Sequence, residues 1–169
     1  AVWREYPIED LPNAFEDYLH CANAEFELDK SIEGLIRLAP RLGIESLLRL
    51  EPYVEHVAIE SVRFDLIFQL AEGYLRVRGE PSAALVWYEA ALDIDPAHRG
   101  VQLGKGECLE RLGEDERAYA HFTSIDASGD ALGTRELVLA RNRVRQGAWA
   151  DALIHYRRGL DAGVEETHI

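Results

Sequence analysis

Any chemistry in this 169-residue chain would have to come from its six histidines, two cysteines and 31 acidic residues. His20, His56, His98, His121, His155 and His168 show no HExxH pattern and no pair four residues apart on one helix, the spacing that turns two ring nitrogens toward one metal ion. His121 and His155 each precede an aromatic, Phe122 and Tyr156, a half-exposed polar position beside a packing residue. His20 and Cys21 are adjacent, and neighbours on a helix point in different directions, so they form no base and nucleophile. Cys21 and Cys108 have no second cysteine at a metal or redox spacing and read as free, buried thiols. Gly104 and Gly106 make a GxG fragment without the preceding strand or third glycine of a dinucleotide site. Glu114, Asp115 and Glu116 open a helix, where negative charge complements the dipole. Trp87 and Trp149 read as packing residues, and Trp3, near Tyr6 and Pro7, as a docking segment or a flank. No nucleophile, base and orienting group fall at a recognisable spacing. The residues therefore predict no enzyme activity, no metal and no cofactor.

Composition narrows the partners. A hydrophobic fraction of 47% with 29% charged residues suffices for a core. The net charge of -13 repels polyphosphate and anionic lipid, which speaks against nucleic acid and membrane. No apolar run approaches the roughly 20 residues that span a bilayer, and the N-terminus lacks the regions of a signal peptide. A soluble domain in the cytoplasm is the expectation, and unpaired cysteines suit that reducing compartment. The chain has no methionine and reads as an excised or processed piece. Its charge is uneven: residues 1–60 carry 13 acidic and 5 basic side chains, whereas residues 131–160 carry six arginines against Glu136 and Asp151.

The elements that must position these residues are helical. Ala14, Phe15, Tyr18, Leu19, Ala22 and Phe26 recur at helical spacing and predict one helix over 11–29. Shorter helices fit 31–39 and 44–60, with Pro40 and Gly43 breaking between them and Pro52 kinking or restarting the second. Further on, three segments align without a gap. Gly79, Gly113 and Gly147 start them at a period of 34; Ala84, Ala118 and Ala152 follow, then Tyr88, Phe122 and Tyr156, then Ala91, Ile125 and Gly159. Ala71, Gly106 and Ala140 supply a small residue in the helix ahead of each glycine. The small residues allow close helix approach, the aromatics fill the space between helices, and the glycine ends the first helix of each pair.

These residues resemble the tetratricopeptide repeat, with Pro96 at the family's usual close of a second helix. The resemblance covers about residues 64–165 and implies an all-α fold, a right-handed superhelix of helix pairs at about 64–97, 98–131 and 132–165. Residues 1–60 are expected to form a helical N-terminal cap, with a degenerate fourth repeat as the alternative, since Leu50, Val54 and Val57 sit one period ahead of Ala84, Tyr88 and Ala91. Three departures stand out: one extra residue before Gly79, Lys105 where the family has leucine, and Arg143 where it has an aromatic. Little sequence follows the last aromatic-bearing helix, so that end is expected to lie uncovered and to meet more of a parent chain, another subunit or a partner.

In the family the first helix of each pair lines a concave groove that binds peptides. Carried over, the groove positions are Asp65, Phe68, Glu72 and Arg76; Leu103, Glu107 and Arg111; and Thr134, Leu137, Arg141 and Arg145. Glu72 and Glu107 stand where asparagine of a carboxylate clamp would be, so a chaperone C-terminal tail fits poorly. The resemblance implies a module binding a protein or peptide, with a homodimer through the uncapped end as a further possibility. Two other readings are a small acidic secretion-type chaperone and the regulatory arm of an enzyme such as a glycosyltransferase or methyltransferase. The arginines at 76, 111, 141 and 145 either face an acidic partner or pair with neighbours inside the groove.

Overall fold

Apolar residues spaced three and four apart give each segment a buried stripe, and the chain answers with helices joined by short turns. The computed structural model of the chain describes residues 11–24, 27–126 and 130–162, and no strand occurs among them. Two compact units gather, one ending at Asp95 and one beginning at Pro96.

In the first unit, helices α1 (Leu11–Asn23) and α2 (Leu28–Leu42) form a hairpin. The single helix expected over 11–29 is thus broken. Glu27 takes a left-handed conformation, φ 44°, because reversing the chain lets Phe15 and Leu19 of α1 and Ile32 and Leu35 of α2 all be buried. Helix α2 also runs through Pro40 instead of ending at 39. The missing proline N–H removes one helical hydrogen bond near the helix end, and Gly43 terminates the helix at φ 100° with its N–H on the Ala39 carbonyl at 2.9 Å. Helix α3 (Ile44–Leu48) is a single turn or so, and a 3₁₀ segment, Glu51–His56, follows with Pro52 in its first turn. The second of the shorter helices, expected over 44–60, is therefore restarted at Pro52 as two short pieces, with Leu50, Val54 and Val57 buried in or beside them.

Helix α4 (Glu60–Glu72) starts earlier than residue 64 and continues as a π-helical turn, Gly73–Arg78. That turn is where the extra residue ahead of Gly79 goes. The wider i to i+5 winding absorbs one residue without shifting either flank, so Gly79 still reaches φ 67° and the next helix, α5 (Pro81–Ile94), keeps its register. Tyr74 fastens the turn by donating to Glu51 Oε2 at 2.8 Å, and burial with this bond pushes its phenol up to about 12.

The second unit holds α6 (Arg99–Arg111), α7 (Asp115–Ser124), α8 (Asp130–Arg145) and α9 (Trp149–Asp161). His98 caps α6 by accepting the Val101 N–H at 3.2 Å. The repeat positions behave alike: Ala84, Ala118 and Ala152 are buried, and so are Tyr88 and Phe122. Gly106 has no room for a methyl group, which would collide with the Phe122 ring. The third repeat differs. Tyr156 is half-buried and His155 takes the interior place at 7% exposure, so His155 is not the half-exposed residue its sequence position suggested. Trp149, expected to pack, is 67% exposed, because it sits at the first position of α9, off the stripe of Ala152, His155 and Gly159. Cys108 is buried and Cys21 half-buried, and neither forms a disulfide among the described residues. Trp3, Phe26 and His168 lie outside the described residues.

Candidate functional site

The first group of expected groove positions, Asp65, Phe68, Glu72 and Arg76, follows one face of α4 and its π turn at spacings of three and four. Asp65 is exposed; Phe68 stacks on Phe64 with ring centroids 6.2 Å apart and meets Tyr88 at 6.5 Å. Tyr88 donates its hydroxyl to Glu72, and Arg76 Nε donates to the other oxygen of Glu72 at 3.3 Å. Beside Glu72 and Arg76 opens a cavity of about 310 Å³ lined by Ala39, Gly43, Ile44, Leu47, Gln69, Gly73 and Val77. Its walls are mostly aliphatic, with Gln69, Glu72 and Arg76 as the polar members. The π turn builds it: Gly73 brings the helix so close to α3 that a methyl there would strike Ile44. Val77 stands 66% exposed in the lining. Glu72 and Arg76, two of the expected groove positions, line this cavity; no motif marks the cavity itself, and the extra residue before Gly79 is its one visible signal in the sequence.

In the second unit, Leu103, Glu107 and Arg111 lie on α6, and Thr134, Leu137, Arg141 and Arg145 on α8. Leu103 and Glu107 are half-buried, Thr134 is exposed, and Leu137 packs over Gly159. The arginines are paired. Arg111 donates to Glu107 at 2.8 Å. Arg141 donates to Glu110 Oε2 at 2.9 Å, while Arg145 donates to the Glu110 carbonyl at 2.5 Å and lies 3.3 Å from Asp115.

Two buried carboxylates that no sequence motif marked hold this unit together. Glu110, 2% exposed, accepts from Arg141 and, on its other oxygen, from Asn142 Nδ2 at 3.0 Å, which ties α6 to α8. Glu136, 3% exposed, accepts from His155 Nδ1 at 2.8 Å and from Arg135 at 3.2 Å. Burial pushes the Glu136 carboxyl up, but these two bonds outweigh it and hold the group below its ordinary range. His155 Nε2 meets the Tyr119 hydroxyl at 3.0 Å, and the Arg143 guanidinium lies 3.5 Å from the Tyr119 ring centroid. Arg143 thus replaces the expected aromatic by covering one, joining α8 to α7. Carboxylate, imidazole and phenol stand in a row here, as in a proton relay. Each is committed to its neighbour within the packing of α7, α8 and α9, an arrangement that clamps the helices together.

No family profile matches the chain, and no curated protein does. Solved structures do. A crystal structure of MamA superposes with a TM-score of 0.68 at 15% identity, covering 91% of this chain and 89% of that one. MamA of MSR-1 gives 0.58 at 18%, covering 90% and 95%. MamA of AMB-1 gives 0.50 at 18%, covering 95% and 96%. The chain thus has an all-helical, tetratricopeptide-like fold. Among the described residues, no helix is long and apolar enough to cross a membrane.

Proposed function

We propose that the chain is a protein-interaction module without chemistry of its own, built as an N-terminal helical region over residues 1–60 followed by three repeats over 64–165. Its partner is a protein or peptide that inserts an apolar side chain into the pocket beside the π turn. The observation that carries this reading is the pocket itself. It is a preformed aliphatic cavity of about 310 Å³ against two groove positions, Glu72 and Arg76, large enough for one or two side chains. Fully burying a leucine-sized side chain contributes about 1.5 to 3 kcal/mol. The neighbouring Gln69 and the Glu72–Arg76 pair offer polar contacts that fix orientation.

Panning a random peptide library against the full chain tests it. Enriched peptides should share one large apolar anchor, and Val77→Asp should weaken their binding at least about tenfold while leaving helicity and melting unchanged, because Val77 is exposed. Peptides without a common anchor, or binding indifferent to Val77→Asp, would remove the pocket from the account.

A further inference from the structure

Helix α9 turns Ala152, His155 and Gly159 inward, and its other side is unusually apolar. Trp149, Leu153, Ile154 and Leu160 are 67, 52, 48 and 46% exposed, half of the eight large apolar residues that stand out from the described surface. They are not scattered. Trp149, Leu153 and Leu160 fall at spacings of four and seven, so they form one ridge along the helix. Ile154 lies across the exposed face from that ridge. A clustered patch of this kind marks an interaction surface, whereas isolated exposed residues do not.

The charges on that face distinguish one class of partner. Six other arginines of this unit are in ion pairs: Arg111 with Glu107, Arg117 with Glu114, Arg135 with Glu136, Arg141 with Glu110, Arg143 with Glu116 and Arg145 with Asp115. Arg157 and Arg158 are exposed and have no ion-pair partner among the described residues. Arg157 lies between the ridge and Ile154, and Arg158 follows Ile154 by one turn. Asp151 and Asp161 border the face only at its two ends, so its middle is basic.

We propose that this face of α9 docks an acidic amphipathic helix of a partner protein, whose apolar seam covers Trp149, Leu153 and Leu160 and whose carboxylates meet Arg157 and Arg158. Ridge spacing selects a helix over an extended strand, since a second helix presents complementary side chains at the same three- and four-residue intervals. The two arginines select acidic flanks. This surface shares no residue with the pocket at the π turn, and the two proposals stand or fall independently.

The test uses the full chain and two synthetic three-heptad helical peptides with leucine at both seam positions, one flanked by glutamate and one by lysine. In an isotope-labelled sample at low salt, the glutamate peptide should shift the amide signals of α9 and bind at least about tenfold tighter than the lysine peptide. Arg157→Glu with Arg158→Glu should reverse that preference without loss of helicity, and Val77→Asp should change neither affinity. Binding of neither peptide, equal binding of both, shifts centred away from α9, or indifference to the charge reversal would each overturn the proposal. So would two other occupants: a dimer of the chain that Leu153→Asp converts to monomer, or peptide binding that appears only when residues 163–169 are removed.

Discussion

Arg141→Ala is expected to destabilise the second unit although Arg141 itself is largely exposed. The effect comes from what it leaves behind. Glu110 is 2% exposed and has two side-chain partners, Arg141 at 2.9 Å and Asn142 at 3.0 Å. Truncating Arg141 leaves a buried carboxylate with one neutral donor. Breaking a fully buried pair costs about 3 to 5 kcal/mol, but the Arg141 side chain is 55% exposed and water can replace part of it. Loss of one charged hydrogen bond, about 2 kcal/mol, is the better measure. In a cooperative unit of under 100 residues this lowers the melting temperature by about 8 to 16 °C. Glu110→Gln keeps the shape and should cost about 1 kcal/mol. Thermal unfolding followed by circular dichroism, with the Glu110→Ala and Arg141→Ala cycle, should give a coupling above about 1 kcal/mol. The double reversal Arg141→Glu with Arg145→Glu, which would otherwise be a neutral probe of groove charge, should unfold α8, since it sets new carboxylates against Glu110 and Asp115. A melting temperature within about 2 °C of the parent for Arg141→Ala, with additive single effects, would refute the reasoning.

Gly106→Ala should cost about 1 to 3 kcal/mol by overpacking against Phe122, read from the shift in urea midpoint; an unchanged midpoint would show that the ring can yield. His121 donates Nε2–H to the Gln102 carbonyl at 2.8 Å, and burial lowers its pKa below 6.5. The unfolded chain then binds more protons between that lowered value and 6.5, so stability falls as pH drops through 6.5, and His121→Gln should flatten this slope in a pH series of denaturation curves. Glu136 titrates below the ordinary 4.5, so its contribution is full above 4.5 and is lost as pH falls through the lower folded value; Glu136→Gln should remove that acid-limb component. Deleting Val77 should convert the π turn to α-helix and close the pocket while Gly79 and α5 stay in place, which amide hydrogen-exchange patterns over residues 73–80 would show.

The sequence by itself determined the helical fold and the repeat. A 34-residue period of glycine, alanine and aromatic positions records contacts between near neighbours in the chain, where turn geometry and side-chain volume leave few alternatives. The small residue at Gly106 and its contact with Phe122 belong to that local logic. What the period could not decide was how the departures are absorbed. One additional residue before Gly79 could have lengthened a turn, and only the packing of α3 against Gly73 shows it as a π turn with a cavity beside it. Arg143 at an aromatic position and His155 beside an aromatic have meaning only through Tyr119 and Glu136, which lie on other helices. Whether an arginine on a helix faces solvent, a partner or a buried carboxylate depends on residues some thirty positions away. Tertiary structure therefore decided that Arg141 secures Glu110 while Arg157 and Arg158 have no ion-pair partner among the described residues: charge pairing follows proximity in space, and the helical period reports only proximity along the chain.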